Sequence, residues 1–139
     1  MIGETVELGT YTTSAEEIIE FATQWDPQDF HTDPAVAAEG FFGEVIGSGI
    51  HSLAIYQRLA VLGAYRHWAV VAGRRIRSVD LTAPLRPGMT VSADVTVESV
   101  ENTRPDRALV VKRGRLLTDD GTVMLECVVE SYVRRRSLD

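Results

Sequence analysis

From Ser48 or Gly49 to about Arg66, apolar residues fall on nearly every helical face: Ile50, Leu53, Ala54, Ile55, Leu59, Ala60, Val61, Leu62 and Ala64. A helix that is apolar all round has to be covered all round. At roughly 1.5 Å per residue this one spans about 25 Å, the full thickness of a small domain. The chain has 139 residues, about one domain's worth. One domain over residues 1–139 is therefore expected, with this helix at its centre and the remainder wrapped around it.

The wrapping is read from a change of period after the helix. Trp68 to Ala72 is a continuous apolar run bounded by Gly73, as in a strand covered on both sides, and Arg75 to Leu81 reads as an irregular strand ended by Pro84, Pro87 and Gly88. Val91, Ala93, Val95 and Val97 alternate with Ser92, Asp94, Thr96 and Glu98, a strand with one face on the core. Another strand is expected from about Arg107 to Leu117, then a hairpin turn at Asp119-Asp120-Gly121. The last strand alternates Val123, Leu125, Cys127, Val129 and Ser131 against Met124, Glu126, Val128, Glu130 and Tyr132. Met124, Val128 and Tyr132, with the run at Trp68, suggest an outer surface that something else covers.

Ahead of the central helix, residues 3 to 11 are compatible with a short first strand. Thr13-Ser14-Ala15-Glu16-Glu17 then carries a capping-box signature. Ile18, Phe21, Ala22 and Trp25 follow at i, i+3, i+4 and i+7, so a helix packing that face on the core should end near Pro27. Asp33-Pro34 is a second helix start, for a short helix stopped at Gly40, and Phe41 and Phe42 are expected to plug a core gap more often than to line a pocket. Helices first and a strand meander after them indicate an α+β fold, an antiparallel sheet curved around the long helix.

Composition narrows the function. A net charge of −6 and a pI near 5.0 argue against a general nucleic-acid binder, because neutralising phosphates needs a basic surface. Of the 14 basic residues only Lys112 is a lysine. Some of the arginines could meet ligand phosphates, for which the guanidinium fork is suited, and Arg134, Arg135 and Arg136 are the densest cluster, although a terminal basic run is usually a solvated tail. No apolar run approaches the roughly 18 residues of a membrane span, and the first residues lack the basic and apolar regions of a secretory signal, so a cytoplasmic protein with no membrane partner is expected. The lone Cys127 falls in an alternating apolar stretch and reads as a buried, inert thiol.

The chemistry-bearing residues concentrate between Trp25 and Ser52. Asp26 and His31 put a carboxylate and an imidazole in one turn-rich segment, and Gly47, Ser48 and Gly49 open the central helix. A carboxylate with an imidazole can handle a proton and a water, while a helix-opening glycine can aim a backbone N–H at a developing oxyanion. On spacing alone, a loop-stabilising pair or two surface residues is a stronger reading of Asp26 and His31 than a catalytic dyad. Asp26, His31 and Asp33 could be read as metal ligands, but no fourth ligand stands out. Ser48 reads as a helix cap, since no G-x-S-x-G elbow surrounds it, and His67 as structural.

This stretch, followed by the buried helix and the sheet, resembles the MaoC-like hydratases, the (R)-specific enoyl-CoA hydratase and dehydratase family of the hotdog fold. That family's motif places Asp, four residues, then His, with a D/E-P pair soon after and a glycine opening the central helix. Asp26, His31, Asp33-Pro34 and Gly49 stand at those positions, and Leu85-Arg86-Pro87-Gly88-Met89 is similar to the family's apolar-x-P-G-D stretch, with Met89 for the acid. Trp25 stands where the family commonly has glycine before the acid, and Gln28-Asp29 where Asn-Pro is usual.

The resemblance implies a single hotdog domain acting on a 2-enoyl or 3-hydroxyacyl thioester carried by CoA or a carrier protein, with no cofactor beyond the CoA of the substrate, and usually as a homodimer or higher homo-oligomer. It assigns the proton chemistry to Asp26 and His31 and the oxyanion to the Gly49 N–H. Gln28, Ser48, His51 and Gln57 are candidates for substrate contacts, Gln57 because it lies two turns on from Gly49. Two other readings stay open at this point: a thioesterase on the same scaffold, and a hotdog module that binds a ligand or serves as a subunit without turnover.

Overall fold

The computed structural model describes residues 2–102 and 104–135. In chain order it runs β1 (Thr5–Thr12), α1 (Ala15–Trp25), α2 (Asp29–Thr32), α3 (Pro34–Ala38), α4 (Gly49–Gly63), a 3₁₀ turn (Tyr65–His67), β2 (Val70–Leu81), β3 (Thr90–Glu101), β4 (Arg107–Leu117) and β5 (Val123–Arg134). The five strands form one sheet in the order β1-β3-β4-β5-β2, every neighbouring pair antiparallel. The sheet curves around α4, as expected from the helix-then-meander pattern.

Packing of α4 onto the sheet is set by size complementarity at one crossing. Tyr56, 1% exposed, lies over Gly114 of β4, where an added Cβ would sit 2.1 Å from the tyrosine ring and hydroxyl. No side chain fits there. Ile55, Leu59 and Ala60 of α4 pack with Val91, Ala93, Val95, Leu116, Leu125 and Cys127 from the sheet. Full burial raises the Cys127 thiol to about 11, which keeps it protonated and unreactive at neutral pH.

Expectation and structure differ in several places. First, α4 is not covered all round: Ile50, Ala54, Gln57 and Val61, at i, i+4, i+7 and i+11, form an exposed stripe along it. Second, Trp68–Ala72 and Arg75–Leu81 do not form two strands but one, β2, with three register shifts against β5. It is an edge strand and is exposed along almost its whole length, so the run expected to be covered on both faces is not. Third, Met124 and Val128 are buried within the chain itself and Tyr132, half-buried, lies beneath Arg107, so the three do not form an exposed apolar face. Fourth, Phe41 is 96% exposed and Phe42 is also at the surface, so neither plugs the core. Trp25 likewise ends α1 in solvent, with Ile18 and Ala22 carrying the buried face.

Capping explains the helix starts. Ser14 Oγ accepts the Glu17 N–H at 3.1 Å, and Asp33 accepts the N–H groups of Ala35 and Val36. Each satisfies a donor that a helix start leaves free. The β4–β5 hairpin closes through Gly121 at φ 86°, a left-handed value suited to glycine. None of the described helices is long and apolar enough to cross a membrane.

Gly114→Ala is expected to destabilise the fold by about 2–3 kcal/mol through overpacking against Tyr56, measured by urea unfolding. An unchanged midpoint would show that this crossing does not limit the packing of α4.

Candidate active site

Asp26 sits at the C-cap of α1, where its backbone N–H closes the helix on the Ala22 carbonyl at 2.8 Å. Three residues on, the chain enters the single turn of α2, which turns His31 inward until only 4% of it is exposed. His31 Nδ1 lies 2.6 Å from the Ile46 carbonyl oxygen. A carbonyl only accepts, so Nδ1 carries the hydrogen. Nε2 then faces Asp26 Oδ2 at 3.4 Å, with its lone pair free in the neutral ring.

The carboxylate of Asp26 is held from two sides. Ser48 Oγ donates to Oδ2 at 2.7 Å, and Gln28 Nε2 donates to Oδ1, also at 2.7 Å. These hydrogen bonds, Ser48's the larger, hold its carboxyl below the usual aspartate range, and the positive charge of a His31 imidazolium adds to them. The same Ser48 oxygen accepts the Ile50 N–H at 3.3 Å and caps α4. One hydroxyl therefore joins the carboxylate to the start of the central helix.

Gly49 is the first residue of that helix. Its N–H has no partner one turn back and stands at the positive end of the helix dipole. Leu81 crowds the position, since an added Cβ would lie 2.3 Å from its Cδ1. A cleft of about 350 Å³ opens here, lined by His31, Phe42, Ile46, Gly49, Ser52 and Leu81 among others. The imidazole and the open helix start thus line one cavity, with Asp26 against the Nε2 side of the imidazole.

The remaining candidates divide. Gln28 and Ser48 act on the Asp26 carboxylate, and Ser48 has no exposed surface with which to meet a ligand. His51 points away from the cleft, stacked on Phe21 at 4.4 Å with Nε2 3.5 Å from Glu17. Burial lowers its pKa, and it ties α4 to α1. Gln57 lies on the exposed stripe and borders a different cavity, between α4 and β2. Asp33 is engaged in capping α3, apart from the Asp26–His31 pair. His67 is at the surface, beside Arg66.

Two lining residues escaped the sequence reading. Ser52 lies three residues after Gly49, on the same helix face, and that spacing was the available signal. The Ile46 carbonyl, which orients His31, left none. Several arginines are paired with the chain's own carboxylates: Arg74 and Arg77 with Glu130, Arg113 with Glu98 and Glu126, Arg115 with Asp94, and Arg86 with Glu44. Arg86 is the one beside the cleft, over the Phe42 ring. In the terminal cluster, Arg135 donates to the Arg104 carbonyl, and Arg136 lies outside the described residues.

Residues 1–119 match the sequence model of the MaoC like domain, and the chain belongs to that family. It is 31% identical to the MaoC-like dehydratase from Rhodospirillum rubrum, with a TM-score of 0.88 over 99% of this chain and 95% of that one. It is 30% identical over 86 residues to the uncharacterized protein YdeM of Bacillus subtilis; the match spans 62% of this chain and 61% of that relative's length. The (R)-hydratase from A. caviae involved in PHA biosynthesis is 23% identical, with a TM-score of 0.74 over 98% of this chain and 97% of that one, a likeness of fold alone. The five-stranded antiparallel sheet around a central helix is the hotdog fold.

Ser48→Ala should raise the Asp26 pKa by removing its largest stabilising hydrogen bond and cost about 1 kcal/mol as a lost helix cap. Because the folded pKa lies below the unfolded value near 3.9, Asp26 stabilises the fold above that pH, and the contribution disappears as pH falls through the folded pKa. The variant should lose stability at higher pH than wild type does. Carboxyl titration by NMR, with unfolding followed against pH, reads both effects; an unmoved Asp26 titration would remove Ser48 from the site.

Proposed function

We propose that this MaoC-like chain is a hydratase or dehydratase that adds or removes water at the 2,3 position of an acyl thioester, of the 2-enoyl-CoA to (R)-3-hydroxyacyl-CoA type. The observation that carries the reading is the pairing of Asp26 Oδ2 with His31 Nε2 at 3.4 Å, beside a cleft that also exposes Gly49 at the start of α4.

Hydration needs a base for the water, an acid for the α-carbon and a donor for the enolate oxygen. The thioester carbonyl lies on the Gly49 N–H, placing C3 toward His31. Nε2 takes a proton from a water as its oxygen bonds to C3, and the C2–C3 π electrons move toward the carbonyl oxygen as enolate. Asp26, held ionised by Ser48 and Gln28, is a weak base and serves as the charge partner of the imidazolium. Nε2–H then returns the proton to C2 and the thioester re-forms. Dehydration is the same path reversed.

The working unit we propose is a homodimer. Edge strand β2 offers an unpaired backbone edge with Val71 and Ile76 exposed, and Ile50, Val61 and Leu62 are exposed on α4. An uncovered apolar edge of this length favours pairing with another chain. The solution mass should be twice the 15.3 kDa of one chain, and Ile76→Lys should shift it toward the monomer. A monomeric wild type by light scattering would contradict this assembly.

Enoyl-thioester absorbance should disappear on incubation with the protein while free thiol stays constant. Asp26→Asn and His31→Ala should each lower kcat/KM by about 10²–10⁴-fold. Thiol release with the double bond intact would favour thioester hydrolysis instead, and equal rates in wild type and both variants would remove the pair from catalysis.

A further inference from the structure

Beyond the cleft, between α4 and β2, lies a larger cavity of about 590 Å³, walled by Ile50, Leu53, Tyr56 and Gln57 of α4 and by Ile76 of β2. The cleft touches Gly49 and Ser52 of α4 and Leu81 of β2, so the two spaces follow one another along the same groove. The inner wall of the larger one contains Lys112, the only lysine of the chain, with 1% of its surface exposed.

Lys112 has no carboxylate partner among the described residues. Nζ donates to Ser131 Oγ at 2.8 Å and rests 3.9 Å from the Tyr65 ring centroid and 5.8 Å from that of Trp68. An ammonium has three N–H groups, so one remains for a ligand. The Tyr56 and Tyr65 hydroxyls lie 3.3 Å apart. Their mutual bond uses one of the two hydroxyl hydrogens and leaves the other. Glu130, the acid on this wall, is held by Arg74 and Arg77. The inner end thus offers a cation and spare donors, with its one carboxylate already neutralised.

We propose that the acyl group bound here carries a carboxylate at its far end, which pairs with Lys112. The inference rests on the thioester lying at Gly49, as in the function proposed above. A buried ammonium without a counter-charge is costly, and an anionic ligand removes that cost. Burial pushes the Lys112 pKa down to about 8, consistent with an unmet charge. From Gly49 to Tyr56 the helix rises about 10 Å. At roughly 1.2 Å per bond of extended chain, that corresponds to an α,ω-dicarboxylic acyl group of about eight carbons.

Binding of two saturated thioesters of equal length, octanoyl-CoA and the mono-CoA thioester of octanedioic acid, tests this by calorimetry. Wild type should favour the carboxylated ligand by roughly 10–100-fold, as for a hydrogen bond to a charged group. Lys112→Met should abolish or reverse the preference while binding octanoyl-CoA at least as well. A wild-type preference for octanoyl-CoA, or an unchanged ratio in the variant, would overturn the inference, and the wild-type ratio decides alone if the variant does not fold. Saturated thioesters cannot be hydrated, so this result is independent of turnover: hydration of unsubstituted enoyl-CoA with no carboxylate preference would leave the proposed function standing and remove only this inference.

Discussion

The Ser48 hydroxyl links the scaffold to the chemistry. It accepts the Ile50 N–H, which starts α4 at Gly49, and it donates to Asp26, which ends α1. A single oxygen therefore fixes the carboxylate relative to the helix dipole. Rigid elements on both sides make that placement durable: α1 is buried through Ile18 and Ala22, and α4 is locked through Tyr56 over Gly114. His31 is oriented separately, by the Ile46 carbonyl just before the same helix start. Each group of the cleft is held by a neighbour that is itself packed or hydrogen-bonded, the condition for positioning reactive groups accurately.

The fold departs most from self-sufficiency along β2 and the facing stripe of α4. Strands β3, β4 and β5 bury apolar side chains within the chain, whereas β2 is exposed along almost its whole length. The cavity that contains Lys112 opens between these two elements. A surface that pairs two copies would also close the space in which an acyl chain lies, so assembly and substrate selection draw on the same residues. The outer face of the sheet differs again. Arg113 bridges Glu98 and Glu126, and Arg115 pairs with Asp94, so charge there is compensated across strands.

Much of this was legible in the sequence because it depends on local spacing. The caps at Ser14, Asp33 and Ser48, the alternation of β3 and the turn at Gly121 are short-range signals, and each appears where expected. Asp26, His31 and Gly49 were readable as a constellation, and the structure brings the pair together beside the helix start. What could not be read depends on contacts across the chain. Ser48 reaches Asp26 over 22 positions. Burial of Met124 and exposure of Trp25 and Phe41 follow from sheet curvature and loop path, which periodicity does not encode. Lys112 had a signal that went unread: it is the lone lysine, in register with Val129 and two residues from Gly114 on the helix-facing side.

In the proposed reaction one nitrogen, His31 Nε2, both takes the proton from water and returns it to carbon. Both new bonds must then form on the same face of the substrate. Hydration of a 2-enoyl-CoA in D₂O, with the product's C2–C3 configuration read by NMR, tests this directly. Syn addition of hydroxyl and deuterium is the predicted result. Anti addition would require a second acid on the opposite face and would contradict proton return from His31.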